Sequence, residues 1–227
     1  MKYVAVTFTD KKYEKTRQRY VEEIKSKNIF SEIYSLGMED IYEEFLKHHQ
    51  SLIDSNPKMY GYFIWKPYVI YKILKDLNEG DILVYGDAGN TTPGSREECL
   101  QKFDLVKNVK KGAKIIACRE GWNIRWIKTD LYFRVKWYAI LYAFKFMPAA
   151  NRIVIQKDAK TMSFVKEWLD LCTKDYRNID YSPSKLPNMP FFIQHRCDQS
   201  VLALLFHKYK CKKVDFENVW IASRLKY

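Results

Sequence analysis

No two cysteines in this chain stand in a Cys-x-x-Cys spacing. The five present, Cys99, Cys118, Cys172, Cys197 and Cys211, are odd in number and far apart. A disulfide framework or a structural zinc site needs clustered thiols, so both are excluded, and the usage fits a reducing compartment. Long apolar runs are also missing. The opening stretch MKYVAVTFTD is too short in apolar residues for a signal peptide, and no run spans a bilayer, which points to a soluble, cytoplasmic protein. The most apolar segment, WYAILYAFKFM, is flanked by Lys136 and Lys145 and reads as a buried helix. No Gly-Lys-Ser/Thr follows a glycine-rich loop, so a P-loop is absent. Repeats, low-complexity tracts and linkers are lacking as well, and 227 residues then count as one domain.

What the chain has in excess is positive charge and aromatic rings. Lys and Arg number 39 against 27 Asp and Glu, a net charge of +12, which suits a polyanion or a phosphorylated small molecule. The basic residues are scattered, their densest groups are short, and no zinc finger, basic zipper or single-strand-binding signature accompanies them. Charge alone is therefore weak support for a nucleic-acid partner, and none is expected. The 17 Tyr, 13 Phe and 6 Trp fill a core in the main, and some line a ligand cleft.

Short, continuously apolar strands alternate with helical periodicities along the chain. Tyr3 to Phe8, Asp81 to Tyr85, AKIIAC and NRIVIQ read as strands, and VDFENVW as a last one. Helices are expected from Asp10 onward, from Glu39 to Ile53, after Trp65-Lys66-Pro67, from the capping box Ser95-x-x-Glu98 to near Gly112, up to Pro148, from Thr161 to Cys172, and after HRCDQS. The fold class is α/β, with a mixed, mostly parallel sheet buried on both faces. Ligands of such sheets bind beyond the carboxyl ends of the strands.

Two strand ends carry polar groups there. Thr7-Phe8-Thr9-Asp10 closes the first strand, where hydroxyls and a carboxylate can read a base and ribose with Tyr13 stacking; equally, Asp10 is a helix cap. GDAGN follows the third strand, and Asp87 is either a turn residue or a hard oxygen ligand for a divalent cation. Asp198 is an N-cap or a general base. His195 and His207 are candidate metal or phosphate contacts, or structural. Lys66, at a helix start that favours anions, is a phosphate partner or an ordinary exposed lysine.

In this order, GYFIWKPYVIYKIL, GDILVYGDAG, SFVKEWLDLC and HRCDQSVLALLFHKY resemble small glycosyltransferases of the GT-A fold, a single Rossmann-like domain. The likeness is to transferase domains encoded by large algal (chlorella) viruses and by some bacteria, and it runs from the first strand to about Lys210. It implies a nucleotide-binding part over about residues 1–115 and an acceptor and catalytic part over about 116–227. It implies a nucleotide-sugar donor, typically a UDP-sugar, a glycan or glycoconjugate acceptor, and Mn²⁺ or Mg²⁺ at the diphosphate. Thr7, Phe8, Thr9, Asp10 and Tyr13 then hold the uridine, and Asp87, Ala88 and Gly89 form the strand-end motif with Asp87 on the metal. Lys66 approaches the phosphates or sugar. Asp198 acts as base or sugar anchor beside Gln199. Trp122, Trp126 and Tyr181 are either places for an acceptor sugar to stack or packing residues. A viral source would place the protein in the host cytoplasm. One departure stands out: GDAGN has a single carboxylate where two are usual, with Gly89 in the second place if Asp87 is the first, or Tyr85 in the first place if Asp87 is the second. Metal dependence is then expected to be weak.

Overall fold

The computed structural model describes residues 1–216 and 218–225, with Lys58 described by its backbone alone. Among them runs one six-stranded sheet built from β1 (Tyr3–Phe8), β2 (Glu32–Leu36), β3 (Ile82–Gly86), β4 (Ile115–Trp122), β5 (Phe146–Gln156) and β6 (Lys212–Val214). The spatial order is β2-β1-β3-β5-β4-β6. The pairs β1–β2, β1–β3 and β4–β6 are parallel; β3–β5 and β4–β5 are antiparallel. The helices are α1 (Glu14–Ser26), α2 (Glu43–His48), α3 (Gln50–Ser55), α4 (Trp65–Asp76), α5 (Arg96–Asp104), α6 (Thr129–Val135), α7 (Ala159–Lys174) and α8 (Cys197–Lys208).

Continuous apolar strands arise because the sheet is covered on both sides. Leu83, Tyr85, Ile153 and Ile155 pack with Ile70, Leu74, Phe164, Trp168 and Leu202 of α4, α7 and α8. The intervening Ile82, Val84 and Val154 face Cys99 and Phe103 of α5 together with Trp220. Ala5 meets Tyr20 and Ile24 of α1 on that second side. The chain thus leaves β1 over one face through α1 to β2, then returns over the other through α4 to β3. Strand order reverses between β1 and β3, and a crevice opens at their carboxyl ends.

Several boundaries differ from the sequence reading. The helix expected from Glu39 to Ile53 is a 3-10 turn (Met38–Asp40) followed by α2 and α3, broken at His49 with φ −108° and ψ 12°. The helix opened by the Ser95 capping box ends at Asp104 and closes in a 3-10 turn (Leu105–Asn108), short of Gly112. WYAILYAFKFM is not a buried helix: Trp137–Tyr142 is 3-10, and Trp137, Leu141 and Phe144 are exposed. Its helix does not run to Pro148, because β5 starts at Phe146. The proline is tolerated inside that strand since it lies opposite Arg119, where the pairing with β4 shifts register. The final strand is limited to Lys212–Val214, and Glu217 of the expected strand lies outside the described residues. Among the described residues, no helix is long and apolar enough to cross a membrane.

Candidate functional site

A cleft of about 590 Å³ lies at the carboxyl ends of β1 and β3, walled also by the starts of α4 and α8. It brings together Phe8, Thr9, Asp10, Tyr13, Lys66, Asp87, Ala88, Gly89, Asp198 and Gln199, which the sequence scatters over nearly two hundred positions. Thr7 is the exception among the expected residues. It is wholly buried and does not line the cleft, because alternation along β1 turns it to the other side of the sheet from Phe8.

At the end of β1, Phe8 stacks on Trp65 with centroids 3.9 Å apart, which fixes the floor. Asp10 does cap: its Oδ1 accepts from the Tyr13 backbone N–H at 3.0 Å, ahead of α1, while the residue still borders the cleft. Before α4 the backbone passes through Tyr60, Gly61, Tyr62 and Phe63 with φ of 46°, 70°, 58° and 63°. Left-handed conformations at three non-glycine residues within four consecutive positions are costly, and such strain concentrates where a site needs a fixed shape. This turn delivers Trp65 and Lys66 to the crevice.

Lys66 is buried, not the ordinary surface lysine that its type suggests. Its Nζ stands 3.3 Å from Asp87 Oδ1 and donates to the Ala150 carbonyl at 3.2 Å. The ring faces of Tyr85, Phe63 and Trp65 surround it at 5.1–5.7 Å. Burial pulls its pKa down, but the charges of Asp87 and Asp198 outweigh that and leave it raised, so it stays an ammonium. Asp87 Oδ1 also accepts from the Tyr85 hydroxyl at 2.5 Å. The loop behind Asp87 is pinned by Arg19, which donates to the carbonyls of Ala88 and Asn90 at 2.7 Å each.

Asp198 is not the N-cap of α8; Arg196 holds that place, and Asp198 sits in the first turn. Cys197, at φ 44°, swings the chain so that the carboxyl enters the protein, 2% exposed. Burial, with the Asp87 charge added and Lys66 opposing, lifts its pKa to about 7. Its Oδ2 has no hydrogen-bond partner, and neither do the buried Thr9 Oγ1 and Asn151 Oδ1, all three on residues lining the cleft. Buried polar atoms are normally paired. Unpaired buried polar atoms occur elsewhere too, Thr7 Oγ1 and Asn123 Oδ1 among them, and what sets these three apart is that their residues share one cleft.

Both candidate histidines are already engaged by backbone groups, although His195 also lines the cleft. His195 Nε2 meets the Asn178 carbonyl at 2.9 Å and Nδ1 accepts from the Lys128 N–H at 3.4 Å; burial drives its pKa down to about 3. His207 lies away from the cleft against the Phe146 carbonyl, its pKa lowered to about 4 by burial.

Other lining residues were not foreseen: Glu120, Asn151, Arg196 and Arg224. Arg196 lies over the Trp126 ring at 3.9 Å and pairs with Glu120 Oε2 at 2.5 Å. Gln199 Nε2 donates to the same Glu120 oxygen at 3.0 Å and to the Pro148 carbonyl at 2.9 Å. A signal existed for Glu120, a carboxylate closing the apolar run IIAC as Asp87 closes ILVY. Arg224 had none. Of the expected acceptor-stacking residues, Tyr181 lines the cleft, Trp126 supports Arg196, and Trp122 stacks on Phe146.

These side chains by themselves form no ready-made divalent cation site. Among the described residues no three His, Cys, Asp or Glu groups converge to hold one. Asp87 already has an ammonium and a phenol on Oδ1. A Cβ at Gly89 would meet Arg224 Cα and the Leu225 carbonyl at 3.3 Å, so a second carboxylate has no room there without a shift.

No protein-family model matches this chain, and no curated protein matches it. Solved structures do. The apo glycosyltransferase GlyE of Streptococcus pneumoniae TIGR4 aligns over 95% of this chain with a TM-score of 0.53 and 14% identity. This chain spans only 45% of that protein's length. A glycosyltransferase involved in glycosylating the major capsid of PBCV-1 aligns over 86% of this chain and 81% of its own, at TM-score 0.43 and 13% identity. The galactosyltransferase LgtC aligns over 89% and 70%, at TM-score 0.47 and 14% identity. The mixed six-stranded α/β domain is thus a fold shared with the glycosyltransferase GlyE.

Proposed function

We propose that this chain moves a glycosyl group from a nucleotide-sugar donor, of the UDP-sugar type, to an acceptor hydroxyl on a glycan or glycoconjugate. One observation carries the reading most. Thr9, Lys66, Asp87, Asn151 and Asp198, from separate segments of the chain, line one cleft at the strand-order reversal of a fold shared with GlyE. Thr9, Asp10 and Tyr13, which line the cleft, would hold the base and ribose. Lys66, anchored by Asp87, faces the leaving diphosphate.

In the transfer, the bond from the anomeric carbon to the diphosphate oxygen breaks and its electron pair leaves with the diphosphate. The acceptor oxygen bonds to the anomeric carbon, and its proton passes to Asp198 Oδ2. A carboxyl held at about 7 suits that task, since a base is most effective when its pKa lies near the working pH. Fixed positive charge stabilises the leaving group best where water is excluded, as around the buried Lys66. Gln199, tied to Glu120, keeps the start of α8 in register with the cleft.

Thermal unfolding with uridine, UDP, UDP-glucose and ADP tests this reading, because a bound ligand raises the midpoint by mass action. Stabilisation by the uridine compounds and not by ADP is expected. No shift with any of them, against salt-sensitive binding to RNA or DNA, would replace the reading with that of a basic nucleic-acid-binding module.

A further inference from the structure

The segment after the buried Trp220 returns across the mouth of the cleft. Its start is held where Arg152 Nη1 donates to the Trp220 carbonyl. Thr91 and Ile221 then exchange backbone hydrogen bonds at 3.0 and 2.8 Å, Thr91 Oγ1 and Ser223 Oγ meet at 2.5 Å, and the Leu225 N–H donates to the Gly89 carbonyl at 3.0 Å. Arg224 sits at the crossing with φ 54°, a left-handed conformation that an arginine adopts only when its neighbours impose it. The residue is exposed and lines the cleft beside Asp87, Ala88 and Gly89. Gly89 is small because this backbone lies on it.

Beside Gly89 stand the Asp87 carboxylate and the Arg224 guanidinium, while the Lys66 ammonium feels the charges of both Asp87 and Asp198. Asp87 is compensated internally by Lys66 at 3.3 Å, which leaves the arginine to an incoming anion. A guanidinium presents paired N–H donors that match phosphate oxygens. We propose that the segment Ile221 to Leu225 is a fixed strap whose Arg224, together with Lys66, binds the donor's diphosphate directly, so that donor binding needs no divalent cation. The inference rests on the nucleotide-sugar reading and adds the group that takes the phosphate charge.

The experiment is ligand-dependent unfolding of the full chain with uridine or UDP, each in EDTA and in Mn²⁺. UDP is expected to stabilise the wild type more than uridine does, and equally in both buffers. Arg224→Ala should weaken apparent UDP affinity roughly tenfold, the size of a lost charge-assisted bond, leave the uridine response unchanged, and be partly rescued by Arg224→Lys. Arg224 is exposed, so the core survives these changes. A UDP response that exceeds uridine's only in Mn²⁺, or an Arg224→Ala variant that binds UDP as the wild type does, overturns the strap while the donor reading stands. A wild type that answers to neither uridine nor UDP in either buffer overturns both.

Discussion

Replacing Asp198 by asparagine should make this protein more stable and abolish its turnover. The carboxyl is 2% exposed and is held at about 7 by burial and the Asp87 charge, against Lys66. An ordinary aspartate titrates near 4, so keeping this one ionised in the fold costs on the order of 4 kcal/mol, at about 1.4 kcal/mol per pH unit. Since the folded-state pKa is raised, the stability linked to this group is fully present below about pH 4 and is lost as the pH rises through about 7. Asparagine has the shape of the protonated acid and never ionises. Asp198→Asn should therefore gain up to roughly 4 kcal/mol near pH 8, about 1–2 near pH 5 and almost nothing below pH 4. For a domain of this size that is a rise in Tm of roughly 10 °C near pH 8. Urea unfolding of both proteins across this range, with UDP-induced stabilisation measured alongside, is the assay. A difference that stays flat with pH, or a variant less stable than the wild type near pH 8, refutes the buried-carboxylate reasoning. Full turnover by the variant removes Asp198 from its role as base.

The wild-type rate should fall on the acid side with an apparent pKa of about 7, as Asp198 takes up its proton; a profile flat from about pH 5 to 8 would count against it. Gly86→Ala should cost about 1–3 kcal/mol in urea unfolding, because the added methyl falls against the Tyr20 hydroxyl and, at 2.9 Å, the Trp220 ring. An unchanged midpoint would show that the two rings can part. Asp10→Ala should cost about 1 kcal/mol through loss of the cap on the Tyr13 N–H, and an unaffected protein would leave Asp10 only its place in the cleft. Glu120→Gln should change stability by less than about 1 kcal/mol, its pair with Arg196 being partly solvated. The same variant should lower kcat about tenfold or more by loosening Arg196 and Gln199; unchanged kcat would make the pair a surface feature.

The sequence by itself determined the layered α/β class, the capping box at Ser95, and the two strand ends where polar groups gather. Those are local facts: apolar runs of strand length, a Ser-x-x-Glu spacing, and a carboxylate after Ile82-Leu83-Val84-Tyr85 need no knowledge of the rest of the chain. Residues whose meaning depends on distant neighbours were not legible. Lys66 becomes a buried cation only because β3 brings Asp87 to it and β5 brings the Ala150 carbonyl. Asp198 ceases to be a cap because the left-handed Cys197 turns it inward, and its proton affinity is set by charges some 110 and 130 positions away in the chain. Thr7 looked equivalent to Thr9 until the end of β1 at Phe8 left Thr7 inside the sheet and Thr9 beyond it, at the cleft. WYAILYAFKFM, apolar enough for a core helix, is instead split between a 3-10 segment with exposed Trp137 and Leu141 and the start of β5 at Phe146. Arg224 meets Gly89 through a chain return of more than a hundred residues, and no pattern in the sequence encodes that contact. Periodicity and capping act over a few residues, whereas burial and charge pairing act through space, and only the fold sets those distances.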